Sequence, residues 1–402
     1  MNNISLVTRD ACCGCKVCAE VCSHKAISYV MDDEGFFVPK VDSDLCKDCG
    51  LCTKVCPSLN DGKRAKMDTC YATYAKDKEL LIQGSSGGMF GLLARVVLSE
   101  GGVVYGAAFD VNLKLKHTRA TNEQELIPIL KSKYLQSDCS GIYRQIKQDL
   151  RAGKTVLFSG TPCQCNAVSN YIGEKNDNLI IVDVVCHGTP SQELFDRCIK
   201  DYEEQNECKI KAFQFRYKGK GAKHPQSYKM TIEKNGKEKN VVGLHYQYPF
   251  YFGFQTYLTL RRSCYQCKQT TPERNSDITL ADFWGIEKHN PQLRANEGIS
   301  MLAPHTEKGV ELYKKVRKVY DIYCEEVPYD FATENNGNLK APTKKPARRD
   351  TFFKDLREKD FELVKQAYLK SKRQYIFDIY YAIPTPIRKL VRKLMKNRMR
   401  YE

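Results

Sequence analysis

Eight cysteines near the start of the chain fall into two runs of identical spacing, C-x2-C-x2-C-x3-C. The first run consists of Cys12, Cys15, Cys18 and Cys22. The second consists of Cys46, Cys49, Cys52 and Cys56. Bacterial ferredoxins use this spacing to hold two 4Fe-4S clusters. The two runs therefore predict one-electron chemistry at a pair of clusters.

The two runs are predicted to exchange their fourth ligands. In each run the first three thiolates lie on one tight loop, whereas the fourth leaves on a short helix toward the other cluster. One cluster is expected on Cys12, Cys15, Cys18 and Cys56. The other is expected on Cys46, Cys49, Cys52 and Cys22. Corresponding cysteines are 34 residues apart throughout, as in 12 to 46 and 22 to 56, which indicates a duplicated unit.

Zinc is the alternative occupant, because C-x2-C pairs also build zinc ribbons. Zinc sites use two pairs that are far apart in sequence, not three closely spaced thiolates followed by a fourth, so the spacing favours clusters. Ser23 stands where the second run has Pro57, which affects the stiffness of the loop but not ligation. Cys13 lies between two ligands and is expected to point away from the cluster.

The length and composition of the chain indicate that the predicted ferredoxin-type unit is attached to a larger domain. The chain has 402 residues, 42% of them hydrophobic, which is enough for two or more domains. No signal peptide or spanning helix is recognisable, so a cytoplasmic location is expected. Nineteen cysteines in a reducing compartment favour metal sites over disulfides.

The net charge of +16 raises the question of a nucleic-acid partner. The clustered basic and aromatic stripe of a recognition module is missing, so no nucleic-acid binding is predicted. Attraction to an acidic redox protein such as a ferredoxin, or to an anionic membrane surface, fits the charge better.

Hydrophobic patterning predicts an α+β protein with four segments. Buried strands are expected at 103–109, 155–158, 179–185 and 278–281, with helices at 123–129, 142–150 and 307–321. Such runs favour a partly parallel sheet covered on both faces. A hairpin is predicted around Asn235-Gly236 within an antiparallel β section. The segments are a ferredoxin-type domain, a linker, a large α/β domain and a helical C-terminal extension, at 1–60, 61–69, 70–330 and 331–402.

The last predicted helix follows Pro384 and Pro386. Its apolar face would consist of Ile387, Leu390, Val391 and Leu394. Basic side chains surround the rest, a pattern typical of helices that lie on a membrane surface. The alternative is a solvated helix that packs its narrow apolar stripe on the large domain.

Two further groups of residues could bind a cofactor. Ser85, Ser86, Gly87 and Gly88 precede a predicted helix, whose free amides could hold a phosphate, although a plain turn is the alternative. Four later cysteines come from three segments: Cys163, Cys186, Cys264 and Cys267. They could close around a third cluster, but one C-x2-C pair with two remote cysteines is equally a zinc pattern.

These motifs, in this order, resemble the coenzyme F420 hydrogenase/dehydrogenase beta-subunit family in the form with a fused N-terminal two-cluster ferredoxin domain. The resemblance covers nearly the whole chain. Its matching segments are Ser85 to Gly88, Ser132 to Tyr134, Gly160 to Gln164, Cys186 to Gly188, Phe215-Arg216, Cys264-x2-Cys267 and Asp277 to Gly285.

The resemblance implies a flavin-binding large domain and an FAD- and 4Fe-4S-dependent oxidoreductase. FAD would be held by the Ser85 to Gly88 loop together with Lys133, Tyr134 and Thr161. A third 4Fe-4S cluster would lie nearby on the four later cysteines. Electrons would pass between a one-electron donor or acceptor and a two-electron acceptor or donor. Coenzyme F420 is one candidate for the latter, and a non-catalytic electron-transfer subunit of a larger complex is the alternative function.

Overall fold

The N-terminal domain is a small cysteine-rich unit built on one hairpin. The computed structural model describes residues 2–62, 64–65, 69–173, 176–295, 298–371, 374–383 and 387. Strands β1 (Ile27–Met31) and β2 (Phe37–Val41) pair antiparallel. Each cysteine loop leads into a short helix, α1 (Val17–Val21) or α2 (Leu51–Lys54).

The backbone of this domain repeats at the same interval as its cysteines. Gly14 and Lys16 adopt left-handed conformations, with φ of 68° and 67°. Asp48 and Gly50 do the same 34 residues later, with φ of 48° and 77°. The duplication predicted from the cysteine spacing is therefore also present in the two loops that carry the thiols.

The large domain is organised by an eight-stranded mixed sheet. From one edge to the other the strands are β13 (Ile322–Pro328), β3 (Thr69–Ala75), β12 (Ser300–Pro304), β11 (Ile278–Asp282), β7 (Leu179–Val184), β6 (Val156–Gly160), β4 (Val103–Phe109) and β5 (Leu115–Ala120). Four consecutive strands, β11, β7, β6 and β4, are parallel to one another, and the three strands on one side and β5 on the other pair antiparallel. The partly parallel sheet predicted from the buried runs is confirmed.

Helices cover both faces of this sheet, because alternate residues of its strands point to opposite sides. In β6, Leu157 packs with the helices of one face, whereas Val156 and Phe158 pack with those of the other. The first face carries α4 (Met89–Ser99) and α10 (Glu307–Val319). The second carries α6 (Ile142–Arg151), α7 (Pro162–Ile172) and α11 (Tyr329–Asn335). The N-terminal domain packs on the second face, where its Val17 and Val55 join the core.

An antiparallel layer lies beside the main sheet. It consists of β8 (Lys209–Gln214), β9 (Ser227–Lys234) and β10 (Lys237–Leu244). The turn between the last two strands is the predicted Asn235-Gly236, whose φ angles of 52° and 70° suit a type I′ hairpin. An aromatic core joins this layer to α8 (Gln192–Asn206), α9 (Pro249–Gln255) and α12 (Arg349–Glu358).

The remaining helices are short. They are α3 (Lys78–Gln83), α5 (Glu123–Leu126), α13 (Phe361–Tyr368) and α14 (Gln374–Ala382), with 3-10 turns at Ile4–Leu6, Ile127–Ile129, His245–Gln247, Arg262–Gln266, Ile286–Lys288 and Gly337–Leu339. The boundary expected between residues 330 and 331 falls inside α11, and the division into domains stays a prediction. Of the basic tail, 384–386 and 388–402 lie outside the described residues. Within the described ranges no helix is both long and apolar enough to cross a membrane.

Candidate redox site

The structure groups four thiols of the N-terminal domain next to the large domain. This inner thiol set consists of Cys12, Cys15, Cys18 and Cys56. Its members are buried except for Cys12, which is partly exposed. The hydroxyl of Tyr29 lies 3.0 Å from Sγ of Cys18. The second run thus supplies the fourth thiol to the first loop, as the predicted exchange requires.

The other four thiols lie nearer the surface. This outer thiol set consists of Cys22, Cys46, Cys49 and Cys52, which together line a pocket of about 20 Å³. Cys49 is exposed. The side-chain amide of Asn3 donates a hydrogen bond to Sγ of Cys46 over 3.6 Å. The grouping again matches the exchange of fourth ligands, while iron binding by either set stays a prediction.

Burial disfavours charge on these thiols when no metal is bound. It raises the pKa of Cys18 to about 12, against the opposing hydrogen bond from Tyr29. Because clusters bind thiolates, the charge on buried sulfur must be stabilised by iron itself. The donor sets fit 4Fe-4S clusters in number and in type.

A third thiol set lines a cavity of about 250 Å³, here named the thiol cavity. The set consists of Cys163, Cys186, Cys264 and Cys267. Cys163 lies in the first turn of α7, Cys186 follows β7, and the other two belong to the 3-10 turn after α9 and its C-terminal end. Burial raises the pKa of Cys267 to about 12. In the described part of the chain, no three His, Cys, Asp or Glu side chains lie close enough to hold a single metal ion.

A fifth cysteine also faces the thiol cavity. Cys13 lines this cavity, and its thiol lies near those of Cys15 and Cys163, which affect its pKa. Its position beside the third thiol set was not predicted from the sequence, and the expectation that it points away from the first cluster stays a prediction. The sequence could not reveal this contact, because it depends on how the N-terminal domain is placed against α7.

The first cysteine loop is clamped onto the large domain. The guanidinium of Arg261 donates to the carbonyls of Cys12 and Phe37 over 3.2 and 3.0 Å, and the amide of Gln136 donates to the carbonyl of Cys13 over 2.7 Å. A Cβ at Gly14 would lie 2.6 Å from both of these side chains. The φ of 68° at Gly14 also lies in the left-handed region, which favours glycine at this close approach.

A second cavity, of about 270 Å³, adjoins the first and is here named the loop cavity. Six of the seven residues expected to contact FAD line it: Ser85, Ser86, Gly88, Lys133, Tyr134 and Thr161. The seventh, Gly87, packs behind the loop, where a Cβ would lie 2.3 Å from the carbonyl of Thr73. Gly88 precedes α4 without a side-chain cap, so the amides at the start of that helix lack a side-chain partner.

Both serines of the loop hold the backbone in place. Oγ of Ser85 accepts a hydrogen bond from the backbone N–H of Ser132 over 2.7 Å. Oγ of Ser86 donates to the carbonyl of Ile299 over 2.7 Å. These hydroxyls therefore support the loop, and its backbone groups remain the candidates for contact with a ligand.

Lys133 is also engaged within the protein. Its ammonium donates to the carbonyls of Pro128, Ile129 and Leu130, each over 2.8 Å. Burial, together with the nearby charge of Lys131, lowers the pKa of Lys133 to about 7. Lys131 lines the same cavity, and its ammonium donates a long hydrogen bond of 3.5 Å to the side chain of Gln214. It is a cation that sequence reasoning missed.

A buried ion pair supports the loop from the other side. The guanidinium of Arg216 donates to both carboxylate oxygens of Asp282, to the hydroxyl of Tyr134 and to the carbonyl of Ser85. Burial alone would raise the pKa of Asp282, but the charge of Arg216 outweighs it and holds the pKa below its ordinary value. Sequence reasoning noted both residues within motifs without recognising that they pair.

The thiol cavity and the loop cavity share a wall. The residues that line both are Ser137, Thr161, Gln164, Cys186, His187, Gly188 and Thr189. The hydroxyl of Thr161 lies 3.2 Å from Sγ of Cys163. The amide of Gln164 donates to the hydroxyl of Ser137 over 2.9 Å. A polar wall one residue thick therefore separates a thiol set from the cavity proposed for FAD.

Comparison with known proteins gives two family matches. Residues 153–329 match the family described as the C terminus of the beta subunit of coenzyme F420 hydrogenase/dehydrogenase, and residues 11–60 match the 4Fe-4S dicluster domain. No curated protein matches the chain. Among solved structures, a chain of the F420-reducing NiFe hydrogenase complex from Methanosarcina barkeri is 17% identical, with a TM-score of 0.44, over 68% of this chain and 90% of that chain.

Proposed function

Because residues 153–329 match the coenzyme F420 hydrogenase/dehydrogenase beta-subunit family and follow a match to the 4Fe-4S dicluster domain, we propose that the chain is an iron–sulfur flavoprotein oxidoreductase. It would exchange single electrons with a redox protein and two electrons with a second reactant. The observation that carries this proposal is the shared wall between the thiol cavity and the loop cavity.

Three thiol sets follow one another from the surface to this wall. The outer set includes the exposed Cys49, whereas three members of the inner set are buried. The inner set is linked to the thiol cavity by Cys13, and Pro57 and Ser58 also line that cavity. This order favours entry or exit of electrons at the outer set, with the third set nearest the loop cavity.

The residues of the loop cavity fit FAD. The N-terminus of α4 and the side chain of Lys131 offer amides and positive charge to a diphosphate. Leu115, Leu135 and Leu280 offer apolar walls to a ring system. Bound there, FAD would supply the conversion between one-electron and two-electron transfer.

Side chains of the chain itself would shape that site. The pair of Arg216 and Asp282 keeps opposite charges together, so the carboxylate does not repel an anionic group in the cavity. Lys218 holds the carbonyls of Leu81 and Ser86 with its ammonium, which fixes the loop from behind. These contacts position the loop backbone before any ligand arrives.

We further propose that a redox protein docks at the outer thiol set. Leu45 and Leu51 adjoin Cys46 and Cys52, and they are 48% and 43% exposed. Residues 1–60 carry eight acidic and six basic side chains, so the basic excess of the chain lies elsewhere. An acidic partner remains a proposal, and apolar contact is the feature that the outer set itself offers.

The proposal is tested by anaerobic reconstitution followed by metal and flavin analysis. The holoprotein should contain roughly twelve irons and one FAD, from three clusters of four irons. Reduced enzyme should then be mixed with a deazaflavin, quinones and sugar-linked acceptors in stopped-flow experiments. Intact clusters without flavin would overturn the enzyme assignment.

Two variants sharpen the result. Cys264→Ser/Cys267→Ser should lose about four irons while the inner and outer clusters remain. The matched control is Cys208→Ser, which lies in the aromatic core away from both cavities. Four irons fewer in the unaltered chain, with one zinc in their place, would replace the third cluster by a zinc site. Bound flavin with no turnover of any acceptor would favour a pure electron-transfer subunit.

A further inference from the structure

We propose that Cys13 is a positioning residue that couples the inner and third clusters by donating its S–H to a ligand sulfur of one while contacting a ligand sulfur of the other. The inference rests on the proposed function, because both thiol sets must hold 4Fe-4S clusters. It goes further by naming the point at which electrons leave the N-terminal domain.

The contacts of Cys13 are unusual for a cysteine outside the ligand sets. Its thiol lies near Cys15 of the inner set and Cys163 of the third set, and both affect its pKa. It lines the thiol cavity together with all four members of the third set. It is also the chain neighbour of Cys12, another inner thiol. Cys13 therefore lies in the gap between two sets rather than on the outside of either.

Several hydrogen bonds fix the backbone around Cys13. The amide of Gln136 donates to its carbonyl, and the hydroxyl of Tyr143 donates to the carbonyl of Cys15 over 2.6 Å. Lys16 forms an ion pair with Asp138 over 2.9 Å. All three partners belong to the large domain. The thiol is therefore held against α7 by contacts that do not involve sulfur.

The neighbouring sets each contain four thiols without Cys13. A cubane has four irons and takes one protein ligand at each, so a fifth thiol is left protonated and free to donate. Hydrogen bonds to cluster sulfurs raise the reduction potential, because the donor stabilises the more negative reduced state. One S–H can be donated to one sulfur at a time. Removing it must therefore change the difference between the two midpoint potentials.

The step that Cys13 assists is a single-electron exchange. The reduced cluster on the inner set loses one electron and the oxidised cluster on the third set gains it, or the reverse. No bond forms or breaks, and the S–H proton stays on Cys13. Dithionite supplies the electrons in the experiment below.

The test compares Cys13→Ala and Cys13→Ser in the full-length holoprotein, with Cys208→Ala as the matched loss of a distant thiol. Redox titration followed by electron paramagnetic resonance gives the midpoint potential of each cluster. In Cys13→Ala we expect unchanged iron and FAD content and a roughly tenfold change in the electron-exchange equilibrium between the inner and third clusters. Cys13→Ser keeps an O–H donor and should restore most of the difference, whereas Cys208→Ala should change nothing.

Three outcomes would overturn the inference. Loss of about four irons in Cys13→Ala would make Cys13 a ligand. Unchanged potentials in Cys13→Ala would remove its role, as would a Cys13→Ser protein that behaves like Cys13→Ala at full iron content. If Cys13→Ala does not fold, Cys13→Val takes its place in the comparison, because valine fills nearly the same space as cysteine and offers no donor. A missing third cluster or missing FAD in the unaltered chain would instead contradict the proposed function.

Discussion

Arg216 and Asp282 meet through two hydrogen bonds, of 2.8 and 3.1 Å, with side chains only 4% and 16% exposed. The same guanidinium reaches the carbonyl of Ser85, so one ion pair connects β11 to the loop before α4. Replacing one member of so deeply buried an ion pair lowers the stability of the fold, because the remaining charge is then neither paired nor hydrated.

Arg216→Met should therefore lower both the stability and the flavin content of the holoprotein. The uncompensated Asp282 is expected to reduce the free energy of unfolding by about 3–5 kcal/mol. FAD should be lost because the Ser85 loop loses its support. Denaturant unfolding and flavin fluorescence measure the two effects. The control Arg119→Met breaks the pair with Asp149 away from the cavity, and it should reduce stability while flavin is retained.

Exchange of the fourth ligands can be tested by combining serine variants. Cys22→Ser and Cys46→Ser should each remove the outer cluster, so the double variant should lose about four irons, no more than either single variant. Cys22→Ser combined with Cys12→Ser should lose about eight, because two clusters are then affected. Iron analysis after anaerobic purification provides the measurement. If the Cys22→Ser and Cys46→Ser double variant lost the sum of the irons lost by the two single variants, the two runs would not exchange their fourth ligands.

A buried ion pair between Glu34 and Arg349 helps to hold the N-terminal domain against the rest of the chain. Their side chains are 1% and 0% exposed. Arg349→Met should destabilise docking by less than the about 3–5 kcal/mol expected for a fully unpaired buried charge, because Arg262 still pairs with Glu34. Limited proteolysis between residues 60 and 70 should then become faster. The control Arg357→Met removes an exposed pair with Asp33 and should leave the cleavage rate nearly unchanged.

Acid should weaken the fold through His117. Burial lowers the pKa of His117 to about 4, whereas an unfolded histidine titrates at about 6.5. The unfolded chain therefore takes up a proton first, and the free energy of unfolding falls as pH decreases between these values. Between about pH 7.5 and about pH 5 this group accounts for about 2 kcal/mol.

His117→Gln should remove that part of the pH dependence. Anaerobic denaturant unfolding at the two pH values measures it. His24→Gln alters an exposed histidine and serves as the control. An unchanged pH slope in His117→Gln would show that the imidazole is not buried in its neutral form.

Docking of a redox protein at the outer thiol set should depend on Leu51. Leu51→Glu places a charge on an exposed apolar contact, so reduction by a ferredoxin should slow by roughly tenfold, while reduction by dithionite should not change. Val319→Glu, on the 65% exposed Val319 of α10, is the control. Equal slowing by both reductants would indicate damage to the cluster itself.

Local sequence signals predicted much of this architecture. The eight N-terminal cysteines and the turn at Asn235-Gly236 carry strong local rules, and the structure follows both. Strand β4 was predicted at its observed bounds, Val103–Phe109, because a continuous apolar run is typical of a buried strand. The family resemblance stated from the motifs is confirmed over residues 153–329.

Features that depend on distant parts of the chain were missed. Strand β3 lies between β12 and β13 in the sheet although about 230 to 250 residues separate it from them, so no local pattern predicts their pairing. Lys133 was expected at FAD, but its ammonium is held by three nearby carbonyls. FAD binding, the third cluster and the cytoplasmic location stay predictions.

The thiol cavity is assembled from distant parts of the chain, which are synthesised at different times. Cys163, Cys186 and the Cys264 pair come from three stretches of the large domain, and Thr8, Ala11 and Cys13 complete the enclosure from the N-terminal domain. During synthesis the two clusters predicted for the N-terminal domain could be inserted as soon as residue 56 has emerged, whereas the third thiol set is complete only when residue 267 has emerged. If the proposed third cluster binds there, it would be loaded late, on an almost finished chain.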